Sequence, residues 1–147
     1  MAIKRRLRVS MEDLFPHGAF LTGDVAPVRD FDRSTREQFV QMVDKDTGFP
    51  LWEATGHDPD PEARKNDRQF TMKFATTHQP VPPEALPGLP FRPVEFEGLE
   101  VTPYLDSNGP RPKIAFSLRA TGMRTPTPGG QNGQAPQARQ AKNGEAA

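Results

Sequence analysis

The chain has no cysteine, one tryptophan and one tyrosine, and its 19 basic residues only balance its 19 acidic ones over 147 positions. Each scarcity excludes something. Without Cys there is no disulfide, no thiolate zinc site and no Cys nucleophile. Without net positive charge there is no global polycation to hold nucleic acid, so any such binding must come from a local patch. No apolar run approaches the ~18 residues of a membrane-spanning helix, and the basic start Lys4-Arg5-Arg6 is not followed by a signal-type apolar stretch. These features predict a soluble, cytoplasmic protein with no membrane partner.

Proline and glycine are plentiful, 17 and 12 residues. That content disfavours a helical bundle and favours short strands joined by turns. The dominant period is two. Phe70, Met72 and Phe74 alternate with Gln69, Thr71 and Lys73, and Ile114, Phe116, Leu118 and Ala120 alternate with Lys113, Ala115, Ser117 and Arg119. Such alternation marks half-buried strands and predicts a core containing Phe70, Met72, Phe74, Ile114, Phe116 and Leu118.

Phe39–Val43 and Phe49–Ala54 flank Asp44-Lys45-Asp46-Thr47-Gly48, which reads as a hairpin with a polar loop whose Gly supplies a positive φ. Val94–Val101 alternates too, with Gly98 marking a bulge or bend. An opening strand is expected near Phe20–Val25. Helix signals are sparse: Ser10 and Asp13 have capping-box spacing, and single turns are expected near Ser34–Glu37 and Pro82–Gly88. The predicted fold is mostly β, a small antiparallel OB-like barrel over residues 1–124 with one or two short helices. From Thr125 to Ala147 no large apolar side chain occurs, so 125–147 is expected to be a disordered tail rich in Pro, Gly and Gln.

Catalytic and cofactor chemistry is poorly represented. His17, His57 and His78 have no partners at ligand or triad spacing, and a His that is merely exposed or satisfied is the commoner case. His57-Asp58-Pro59-Asp60 is one His among acids in a proline-stiffened loop, a weak metal pattern. Asp44-Lys45-Asp46 opens like a calcium loop, but Thr55 stands where the twelfth-position Glu belongs. No Gly-rich phosphate loop and no Gly-x-Ser-x-Gly is present. The expectation is a protein that is not an enzyme and carries no cofactor or metal.

Charge distribution says more than net charge. Lys4, Arg5, Arg6 and Arg8 form an acid-free start, and Arg111, Lys113, Arg119 and Arg124 form an acid-free stretch at 111–124. Between them, nine bases face eighteen acids. In a closed barrel the first and last strands are often neighbours, so the two segments can merge into one basic surface suited to a phosphate backbone. The alternative, ordinary solvated charges and a basic arm, stays open. Phe31, Trp52, Phe91 and Tyr104 sit in turn-flanking contexts. Trp52 and Tyr104 are the candidates for stacking on bases, against the commoner role of core packing.

Several segments together carry a family resemblance. They are Phe15-Pro16-His17-Gly18, Val28-Arg29-Asp30-Phe31-Asp32, Asp44–Gly48, the run Gln79–Gly88 continuing through Pro90–Leu99 and Val101–Tyr104, and Phe116–Arg124. Residues 1–124 thereby resemble the actinobacterial plasmid replication, integration and excision activator proteins, encoded on plasmids and integrative conjugative elements. The resemblance implies an accessory regulator that promotes excision and replication of a mobile element. No helix-turn-helix, zinc finger or basic zipper accompanies it. DNA, single-stranded in preference, is the expected partner, together with a replication initiator, helicase or recombination protein of the element. A protein–protein adaptor that does not touch DNA is the alternative, and a small-molecule or enzymatic barrel a third.

Overall fold

The computed structural model describes residues 4–127, so the expected tail lies outside the described residues from 128 onward. Nine strands and two short helical turns follow one another. They are β1 (Leu7–Arg8), α1 (Met11–Leu14), β2 (Ala19–Leu21), β3 (Ala26–Pro27), β4 (Leu51–His57), a 3-10 turn (Lys65–Asp67), β5 (Gln69–Ala75), β6 (Arg92–Glu97), β7 (Glu100–Asp106), β8 (Lys113–Ala120) and β9 (Gly122–Arg124). The sheet is strongly curled into a half-barrel, in line with the expected mostly β, barrel-like fold.

Closure of the pairing path comes from one long bent hairpin. β7 pairs with β8 from Asp106↔Lys113 to Glu100↔Arg119, and β6 pairs with β9 from Glu97↔Gly122 to Glu95↔Arg124, all in one register. β6–β7 is therefore a single strand and β8–β9 its partner. Both bend where Gly98 takes φ +62°, a left-handed conformation that glycine adopts without strain. The Thr121 N–H donates to the Glu97 carbonyl at 2.8 Å across that corner. One arm of the bent strand pairs with β2, which pairs with β4 and so with β5, while the other arm returns through β8 to β5. One junction departs from the antiparallel expectation. β5 and β8 run parallel, over Met72↔Leu118 to Phe74↔Ala120.

Inside the curl lie Phe74, Leu21, Met72, Leu99 and Val94, all fully buried. Phe15, Phe70, Phe74 and Phe96 form an aromatic cluster with neighbouring centroids 4.8–6.2 Å apart, within the range for tilted and edge-on pairs. α1 caps this cluster. Ser10 Oγ accepts from the Asp13 N–H at 3.0 Å while an Asp13 carboxylate oxygen accepts from the Ser10 N–H at 3.2 Å, so the expected capping box forms. That reciprocal bond holds the Asp13 carboxyl below its ordinary acidity range. Turns at Ser34–Glu37 and Pro82–Gly88 do not become helices, and the second helical turn falls at Lys65–Asp67 instead.

Two core assignments are corrected. Met72 and Phe74 are fully buried and Phe70 and Leu118 pack partly against the core, but Ile114 is 70 % and Phe116 60 % exposed. The reason is local. β8 joins β5 only from Leu118 onward, so Lys113–Ser117 pairs with β7 alone and projects past the barrel as a two-stranded ribbon. Alternation reports which face a side chain occupies, and here no second layer covers that face.

Candidate nucleic-acid interface

Opposed residues of paired strands share a face. On the ribbon, Leu105 opposite Ile114 and Pro103 opposite Phe116 make an apolar face continuous with the barrel interior. Thr102 opposite Ser117, Tyr104 opposite Ala115 and Asp106 opposite Lys113 make the outer face. The outer face continues across the parallel junction, where Lys73 stands opposite Arg119, and on to Glu53 of β4.

At the edge of the ribbon a cleft of about 1570 Å3 opens between β8, β5 and the 58–68 loop. Five cations line it: Arg6, Arg64, Lys65, Lys73 and Lys113. Three acids, Glu53, Asp58 and Asp67, share its wall. Tyr104, half exposed, and Phe70 and Phe116 supply ring faces. The cleft is larger than a small-molecule pocket of ~300–1,000 Å3.

The ten expected contact residues fall into three groups. Arg6 and Lys113 line the cleft with Tyr104. Lys4, Arg5, Arg8 and Arg111 are exposed on the surface, with Arg8 on β1 opposite Glu100. The remaining three are committed elsewhere. Trp52 packs partly against the core and its indole N–H donates to the Thr76 carbonyl at 3.1 Å. Arg124 is forked onto Glu95 and reaches Glu97 at 3.3 Å, and these partners hold its guanidinium more firmly protonated.

Arg119 donates from both terminal nitrogens to Asp44, at 2.7 and 2.9 Å. That fork, ahead of the Thr47 hydrogen bonds, holds the Asp44 carboxyl far below the usual carboxylate range against the opposing effect of its burial. Arg119 in turn is stabilised in its charged form.

The two basic segments do meet on one sheet, since β1 borders β7 and β7 borders β8. The expected basic surface is interrupted, because from the 44–48 loop Asp44 pairs with Arg119 and Asp46 with Arg6, the latter at 3.1 Å. Sequence reasoning missed Lys73, Arg64 and Lys65, which replace the committed arginines in the cleft. The signal for Lys73 was present, since it lies on the outward side of the plainest alternating strand; Arg64 and Lys65 sit in a loop with no such period. Among the described residues no group of three His, Cys, Asp or Glu is placed to hold a metal ion.

No family model, curated protein or solved structure matches the chain.

Proposed function

We propose that this protein is a cytoplasmic, non-enzymatic accessory protein that binds single-stranded DNA, serving the replication, integration or excision of an actinobacterial plasmid or integrative conjugative element. The observation that carries the DNA reading is the cleft itself, where the Tyr104 ring and five cations, Arg6 among them paired with Asp46, line one open cleft on a curled β-sheet. A single strand needs cations spaced along its backbone and ring faces for its bases, each stack contributing ~1–3 kcal/mol. A duplex is a poorer fit, because the acidic remainder of the surface repels its second strand. The mobile-element setting rests on the resemblance of residues 1–124.

Fluorescence anisotropy with labelled oligo(dT) and with a duplex of equal length, at low salt, tests the reading. Tighter binding of the single strand is expected, with loss on Lys73→Glu and Lys113→Glu together. Equal or absent binding of both probes overturns it and favours an adaptor that works without DNA, a reading supported by the uncovered apolar face of the ribbon.

A further inference from the structure

β5 and β8 are the only parallel neighbours among the described strands, and they part company after three residue pairs. Continued towards their starts, the same register would set Thr71 against Ser117, Phe70 against Phe116 and Gln69 against Ala115. None of these pairs forms. β5 keeps its other edge on β4 through Gln69, and β8 keeps its other edge on β7 through Lys113. The two strands thus diverge into a slot walled on both sides by strand edges without ladder partners, and this slot is the inner end of the cleft.

Unpaired edges are normally blunted by proline, charge or cover. The opposite border of the ribbon shows such protection, since Pro103 lies on β7 where β1 no longer pairs and has no N–H to offer. The slot edges, Lys113–Ser117 and Gln69–Thr71, contain no proline and no glycine. Their inner side is apolar, with Phe15, Phe70 and Leu118 at the base and Ile114 and Phe116 exposed at the lip. On the outer side Lys113 lies on the β8 edge, and Lys73 flanks the closed end of the slot, where it pairs in register with Arg119.

We infer that this slot receives an extended strand from a partner protein, about five residues long, with apolar and acidic side chains in alternation. A strand inserted there pairs with β5 and β8 at once, and in antiparallel sense it replaces the one interrupted parallel junction with two antiparallel ones. Period two then fixes its chemistry. Side chains at alternate positions point inward onto Phe15, Phe70 and Phe116, and those between point outward to Lys73 and Lys113, where carboxylates are complementary. The inference goes beyond DNA binding, and because Lys73, Lys113 and Phe116 line the one cleft, an inserted strand and a single strand of DNA compete for it.

The test uses the full chain and a fluorescein-labelled heptapeptide alternating Glu and Val, with a second version N-methylated on alternate backbone amides. The expected result is saturable binding of the first peptide, with slowed hydrogen exchange across Lys113–Ser117 and Gln69–Thr71. N-methylation weakens binding at least tenfold, and Phe116→Asp, at an exposed position that folding tolerates, does the same. Equal binding of both peptides overturns strand insertion, as does unchanged exchange at these amides at saturating peptide. Absence of binding at millimolar peptide overturns it as well. Displacement of the peptide by oligo(dT) without backbone protection reassigns the slot to nucleic acid.

Discussion

Arg119 and Asp44 lie 75 residues apart in sequence and meet in a two-pronged ion pair, with nitrogen–oxygen distances of 2.7 and 2.9 Å. The pair ties the 44–48 loop to the outer face of β8. Asp44 is buried and Arg119 nearly so, which makes this a structural link. Removing one partner leaves a charge with little water to replace it. Arg119→Ala is expected to cost ~3 kcal/mol, the low end for a broken buried pair because the guanidinium retains some exposure. Chemical denaturation of variant and parent checks this, and a change within ~0.5 kcal/mol contradicts it.

The same pair makes stability depend on acid. The folded-state acidity of Asp44 lies below its ordinary value of 3.8, so the unfolded chain binds the proton more readily. Its contribution is complete above that ordinary value and drains away as pH falls towards the folded one. Melting temperatures measured from pH 6 down to pH 2.5 should therefore fall more steeply for the parent than for Asp44→Asn, which starts lower. Parallel curves refute the linkage.

Phe74 and Phe116 occupy like positions in alternating strands and should respond oppositely to truncation. Phe74→Ala removes a fully buried ring and should cost ~3–5 kcal/mol. Phe116→Ala, 60 % exposed, should shift stability by less than ~1 kcal/mol. Equal losses would mean that the ribbon face is covered in solution.

Gly56 pairs with Phe70, whose ring crosses the space that a Cβ on Gly56 would occupy; that Cβ would also lie 2.8 Å from the Phe20 carbonyl oxygen. Gly56→Ala should therefore destabilise by ~1–3 kcal/mol through overpacking, measurable as a lowered melting temperature. An unchanged melting temperature contradicts the packing described.

Much of the fold is written in local pattern. The alternation of Phe70–Phe74 reports β5, the Ser10–Asp13 spacing reports the capping box, and Gly98 reports the corner of the bent hairpin, because each signal depends on residues a few positions apart. Gly48, at φ +76°, ends the polar loop as its sequence suggests. There, however, the flanks are joined by the Val43↔Pro50 bridge and the Asp44–Phe49 and Leu51–Met42 backbone hydrogen bonds without a regular first strand, and the strand proper starts at Leu51. What local pattern does not carry is what lies across a face. Nothing near Ile114 or Phe116 says that β5 turns away before reaching them. Nothing near Arg119 says that Asp44 neutralises it. The cleft was half legible for the same reason: Arg6, Lys113 and Tyr104 are there, while Lys73, Arg64 and Lys65 arrive by topology.

The salt dependence of oligo(dT) binding tests the central proposal most directly. With some four of the cleft cations on phosphates, log K should fall against log salt with a slope near −3, at about 0.7 per contact for a single strand. Lys73→Glu with Lys113→Glu should bring the slope to about half that and weaken binding, while the circular dichroism spectrum stays that of the parent. A slope near zero, or binding indifferent to the two reversals, would contradict a single-stranded DNA site in this cleft.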